Sequence, residues 1–292
     1  MKRIFLLGDE WLYYKLYCGA RMANIILTET IKPLVEKLVE TNHIDQWFFI
    51  RYNDPDYHLR IRFHLTETKK INEVILLINK MIKPYLEEDI IYKVQVDTYA
   101  REIERYGGKT IELAEELFYH ESTMLVNAVS MIEDETLYFL FILKAVHQLL
   151  NDFKFTIEEK NTIVSRNKDS FRQEFNADKN LNKQLNKKYG GIKNEISIFL
   201  NATYTNNEVY EYLDALLFDK TNKTKRIVTQ LLHQQKNQTL EIPINNLVSS
   251  YIHMLVNRAF RSQQRFYELI VYDFLHKKYN SDLKRSLHSQ SN

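Results

Sequence analysis

Polar and apolar positions alternate one for one through His58-Leu59-Arg60-Ile61-Arg62-Phe63-His64, and this period of two predicts a β-strand. Leu59, Ile61, Phe63 and Leu65 would enter a core. His58, Arg60, Arg62 and His64 would share the opposite face, four donors with no carboxylate among them. Two guanidinium groups that close repel, so the pattern calls for an anionic visitor or a carboxylate folded over the face. Residues 47–52 form a second strand-like run. The intervening Asn53-Asp54-Pro55-Asp56-Tyr57 is a turn signal, and the two runs together predict a hairpin. Residues 11–17 and 90–99 read as further strands. Residues 23–38, despite Pro33, and 71–82, ending before Pro84, carry apolar residues at helical spacing.

From Thr110 the period lengthens to that of helices. Residues 111–129, 136–150, 209–218 and 224–232 carry apolar stripes, and one long helix is predicted from about 246 to 278, after Pro243. Residues 160–193 are rich in Asn, Lys and Gln and read as exposed helices or a mobile excursion. The lysines there, Lys179, Lys183, Lys187 and Lys188, suit a solvated helix face better than an RNA contact. With only 6 Gly and 4 Pro, the chain has too few turn residues for a many-stranded sandwich. The reading is one α+β domain over 1–292: a β-rich N-terminal third (1–109) with an antiparallel hairpin, then a predominantly helical remainder (110–292).

Composition narrows the function classes. The net charge of +2 supplies no global field for nucleic acid or membrane. The single cysteine, Cys18, excludes an internal disulfide and a cysteine-rich zinc site and fits a reducing compartment. No apolar run approaches the roughly 18 residues a membrane helix needs, and the N-terminal run is too short for a signal peptide. The expected location is cytoplasmic. His-Glu-x-x-His, a glycine-rich phosphate loop and a Gly-x-Ser-x-Gly elbow are all missing, so neither a metal nor a cofactor is expected. Chemistry here would rest on Arg, Glu and His side chains.

Two further clusters carry such side chains. In Arg101-Glu102-Ile103-Glu104-Arg105-Tyr106-Gly107-Gly108, a helical turn would bring Glu102 beside Arg105 and Arg101 beside Arg105, with the glycines allowing a reversal. This is either a surface charge ladder or a cation and a carboxylate delivered to the hairpin. In Ser249-Ser250-Tyr251-Ile252-His253-Met254-Leu255-Val256-Asn257-Arg258, His253 and Asn257 share a helix flank. Asn257 would orient an imidazole able to move a proton near neutral pH, or simply satisfy a half-buried one.

These segments resemble a known family. Residues 47–52 with Asp54-Pro55 and 58–63, then Glu102 through Gly108 with residues 113–118, look like motifs of the C-terminal elimination domain of class I lantibiotic dehydratases. Ile252-His253-Met254 with Asn257-Arg258 resembles the third motif. Ala259-Phe260-Arg261 departs from it, standing where an apolar pair and a glycine are expected. The same domain stands alone in thiopeptide-type bacteriocin biosynthesis proteins.

The resemblance implies a lyase acting on a ribosomally made peptide. In full-length dehydratases a large N-terminal domain uses glutamyl-tRNA to glutamylate Ser and Thr of a precursor. The C-terminal domain then removes glutamate, leaving dehydroalanine or dehydrobutyrine. A chain this short would act beside a separate glutamylating subunit and bind the precursor, leader plus glutamylated core, with no direct tRNA contact. A homodimer stays open. The implied catalytic set is Arg60, Arg62, Glu102, Arg105 and His253, with His58, Arg101, Asn257 and Arg258 as substrate-binding residues. The alternatives are a [4+2] cycloaddition joining two dehydroalanines into a pyridine, and a non-catalytic precursor-binding partner.

Overall fold

The computed structural model describes residues 1–201 and 207–290. Four strands form an antiparallel sheet in the order β3-β4-β2-β5: β2 (Trp11–Cys18), β3 (Ile44–Asn53), β4 (Tyr57–Leu65) and β5 (Ile91–Val96). A two-stranded ribbon pairs β1 (Ile4–Phe5) with β6 (Tyr99–Ala100). The predicted strand at 90–99 is therefore two strands in different sheets, and β1 had no periodic signal at two residues.

The predicted alternation sets the register. Arg60 lies opposite Lys15 on β2 and Ile50 on β3, and Arg62 lies opposite Tyr13 and Phe48. Leu59, Ile61 and Phe63 are fully buried on the other face. A slip of one residue would trade these three for two arginines and a histidine. At about 1.5–3 kcal/mol for each buried apolar side chain, that alternative loses decisively.

The apolar face of the sheet packs on α1 (Met22–Ile25), a π-helical turn (Ile26–Ile31), α2 (Lys32–Glu40) and α3 (Ile71–Glu87). Pro33 falls at the start of α2, directly after the π-helical turn, so the helical run passes through it without a break in the chain's direction of coiling. Contrary to expectation, α3 continues through Pro84. Lys80 and Pro84 both lie exposed, so the carbonyl that loses its partner faces water.

The opposite face begins the larger core, which holds Trp11, Tyr13 and Phe48 together with the helices. These are α4 (Ile103–Tyr106), α5 (Ile111–Val129), α6 (Glu135–Asp152), α7 (Ile157–Glu174), α8 (Lys179–Asn201), α9 (Glu208–Lys236), α10 (Ile244–Ala259) and α11 (Gln264–Gln290). Helix α5 serves both cores: Val126 packs into the smaller one, while Leu125 and Ala128 lie in the larger. The Asn/Lys-rich segment is helical, through α7 and most of α8, and the two runs at 209–218 and 224–232 are one helix, α9.

The long helix predicted from 246 to 278 is broken. Arg51 Nε donates to the carbonyl of Arg258 (2.9 Å) and the Tyr138 hydroxyl donates to that of Ala259 (3.0 Å). With its last carbonyls captured, α10 ends. Phe260 turns extended and stacks on Tyr267 at 3.9 Å, and α11 starts in a new direction. Among the described residues, no helix is long and apolar enough to cross a membrane.

Candidate active site

On the hairpin, the polar face is laid out in cross-strand rows. One row runs Ile50, Arg60, Lys15, Gln95, and its neighbour starts Phe48, Arg62, Tyr13. Arg62 is 7% exposed, and its guanidinium lies over the rings of Tyr13 (4.4 Å), Tyr99 (4.7 Å) and Phe48 (5.1 Å). Among the described residues, its Nε and Nη1 are buried with no hydrogen-bond partner, and no carboxylate pairs with it. Arg60 stacks over Tyr52 at 3.3 Å and donates from Nε to His58 Nε2 (3.0 Å). His58 Nδ1 bonds the carbonyl of Asp56 (2.8 Å), so Nδ1 carries the proton and Nε2 accepts. Burial holds the His58 pKa below its ordinary value, with the Arg60 charge assisting, in keeping with that neutral tautomer. A carboxylate does fold over the face, but at its far end: Asp45 takes His64 at 2.6 Å. Arg60 and Arg62 form no ion pair with an acidic side chain among the described residues.

After β6 the chain makes the short helix α4. Glu102 and Arg105 are paired at 3.4 Å, as the i,i+3 spacing anticipated, and both are exposed. Arg101 behaves differently. It is buried, with Nε and Nη2 on Glu115 (2.8 and 2.7 Å) and Nη1 on Glu112 (3.2 Å) and the Lys2 carbonyl (3.0 Å). Gly107 follows at φ +79°, where a Cβ would sit 2.8 Å from Thr110 Oγ1. The reversal thus requires glycine. Glu241, from the loop before α10, accepts from the amide of Gly108 and clamps the turn.

On α10, His253 is 21% exposed in its side chain, and its Nδ1 bonds Glu268 Oε2 of α11 at 2.8 Å. Glu268 is nearly fully buried. Beside it, the Tyr272 phenol is pushed well above its usual range by burial and by the Glu268 charge, so it stays protonated. Accepting on Glu268 fixes the imidazole with its proton on Nδ1 and leaves Nε2 as the base. The partner is therefore Glu268, not Asn257. The Asn257 amide instead bonds both the N–H and the C=O of Arg51 (3.1 Å each), closing α10 onto β3. Arg258 is fully buried on Glu121 over the Phe118 ring. Burial raises the Glu121 pKa and lowers that of Arg258.

The three motif-bearing elements meet through their neighbours. Tyr106 of α4 stacks on Tyr251 of α10 at 6.0 Å, Phe118 packs on Tyr251 and Phe48, and Asn257 joins α10 to the hairpin. No hydrogen bond or ion pair joins Arg60, Arg62, Arg105 and His253 to one another. His58, Arg101, Asn257 and Arg258 are each engaged within the chain. Glu268 went unforeseen because it lies across an unpredicted helix break, where spacing gives no signal.

The fold and this site define a class: an α+β protein with two uncompensated arginines on one sheet face and a carboxylate-backed histidine on a helix packed against that sheet. The chain belongs to the lantibiotic dehydratase C-terminal domain family, whose pattern, described as "Lantibiotic biosynthesis dehydratase C-term", matches residues 11–279. It is 26% identical over 276 residues to the nisin biosynthesis protein NisB of Lactococcus lactis subsp. lactis, covering 90% of this chain and 25% of NisB. It is 29% identical over 185 residues to the subtilin biosynthesis protein SpaB of Bacillus subtilis, covering 61% of this chain and 18% of SpaB. The chain thus spans a quarter or less of these curated relatives. The fold is similar to that of the tRNA-dependent lantibiotic dehydratase MibB from Microbispora sp. 107891 (TM-score 0.72, 21% identity, 97% of this chain and 29% of MibB). It is also similar to that of the pyridine synthase TbtD from thiomuracin biosynthesis (TM-score 0.66, 12% identity, 93% and 99%).

Proposed function

We propose that the protein is the elimination subunit of a split lantibiotic dehydratase, removing glutamate from glutamylated Ser and Thr of a precursor peptide. The observation that carries this is the pair Arg60 and Arg62, held on one face with no acidic partner among the described residues. A carboxylate-bearing substrate supplies what that face lacks, since guanidinium binds carboxylates bidentately and stays charged.

In the reaction, His253 Nε2 takes the Cα proton. The electron pair left on Cα forms the Cα=Cβ bond, the Cβ–O bond breaks, and glutamate departs with both electrons of that bond as a carboxylate. Arg60 and Arg62 bind the charge on the glutamyl group, and Arg105 steadies the developing enolate oxygen or the leaving carboxylate. Glu102 holds Arg105, and Glu268 holds His253. His58 orients Arg60, while Arg101, Asn257 and Arg258 act as supports through Glu115, the Arg51 backbone and Glu121. The precursor and a separate glutamylating subunit are the partners this activity needs.

Mass spectrometry of a glutamylated precursor peptide incubated with the protein tests this directly. Loss of glutamate to a dehydrated residue is expected, and Arg62→Ala or His253→Ala should abolish it while the fold persists. Wild-type turnover in either variant would remove that residue from the assignment. Pyridine formation on a peptide already carrying dehydroalanines, without glutamate loss from the first substrate, would replace elimination by cycloaddition.

A further inference from the structure

Lys15 lies opposite Arg60 and points to the same face of the sheet. Its ammonium pairs with Asp97, the residue after β5, which continues the register opposite Tyr13 through its amide on the Tyr13 carbonyl (3.0 Å). Lys15 is 15% exposed and Asp97 35% in their side chains, so both can be reached from solvent. Lys15 and, next, the Thr98 amide that donates to Asp97 Oδ1 (2.7 Å) hold the Asp97 carboxyl below its usual range, and Arg60 adds to this. The uncompensated cations of β4 therefore border a carboxylate one strand beyond Lys15. Glu102, the acid just before α4, is more exposed and tied to Arg105.

A purely cationic face is half of what a glutamyl ester needs. An amino acid delivered from tRNA is attached through its α-carboxyl, so the esterified glutamyl group keeps a γ-carboxylate and a free α-ammonium. Arginines alone would repel the ammonium. In an extended glutamyl group the two ends lie about 5 Å apart, close to the spacing between the neighbouring strands that carry Lys15 and Asp97, with Arg60 on the far side of Lys15. We propose that Asp97 and Lys15 complete, with Arg60, a two-sign subsite for an α-aminoacyl ester, Asp97 taking the α-ammonium while Arg60 and Lys15 take the γ-carboxylate. This rests on the elimination reading and names how its substrate is told from an uncharged ester.

The test pairs protein and substrate changes. Elimination is followed by mass spectrometry on a glutamyl-Ser peptide and on the same ester N-acetylated on its glutamyl amine, using wild type, Asp97→Asn and Lys15→Met, with thermal melts to verify folding. Wild type should lose about tenfold or more in kcat/KM on acetylation, the scale of one charge-assisted hydrogen bond. Asp97→Asn should process the two esters within about twofold of each other, and Lys15→Met should raise KM for both. If Asp97→Asn keeps the wild-type preference, or Lys15→Met keeps the wild-type KM, the pair is an ordinary ion pair and the subsite is overturned while elimination stands. If wild type leaves both esters intact, elimination falls and the subsite with it.

Discussion

Arg62 is a cation kept without a counter-charge. Three aromatic rings surround it and supply about 0.5–2 kcal/mol each at best, set against the loss of hydration at Nε and Nη1. Such an arrangement favours substrate binding over stability. Arg62→Met, which fills the same space without charge, should therefore stay within about 1 kcal/mol of wild type in urea denaturation while losing turnover. A loss of 3 kcal/mol or more would make Arg62 a fold determinant instead. At this scale the sequence was informative about direction and silent about partners. Alternation put Arg60 and Arg62 on one face; nothing in it told that Arg101 would be spent on Glu115 while Arg62 stayed unpaired.

Between elements, the Arg258–Glu121 pair locks α10 to α5 in full burial. Removing one partner strands the other charge. Glu121→Ala should cost about 3–5 kcal/mol, and the double variant Glu121→Leu with Arg258→Met should recover most of it, measured as a cycle by chemical denaturation. Equal losses in the single and double variants would refute this account. Elements with a strong period were legible: the hairpin, its register, α5 and α6 all follow from spacing. The division of the last helix was not, because α10 ends where Arg51 and Tyr138 capture its carbonyls, and both come from distant parts of the chain. Glu268, which orients His253, was hidden by the same break.

At the scale of the whole molecule, the helical layer carries histidines that resist charging. His147 bonds the Tyr279 hydroxyl at 2.8 Å, and burial brings its pKa down to about 4. The unfolded chain takes up this proton near pH 6.5, so between about pH 6.5 and 4 the unfolded state holds more protons. The contribution is complete above pH 6.5 and declines as pH falls, by up to about 3 kcal/mol for this group. His147→Gln should flatten the acid limb of stability by close to one proton, read from denaturation midpoints between pH 7 and 5; an unchanged limb would assign the acid sensitivity elsewhere. The sheet has a consequence for assembly as well. Asn257 and Ser122 occupy the outer edge of β3, bonding the amides of Arg51 and Phe49, whereas no described backbone group pairs with the outer edge of β5, where Tyr92 is exposed. A sheet sealed on one side and open on the other can be extended only once. Copies joining strand to strand through it would stop at a two-fold pair, with no edge left from which a fibre could grow.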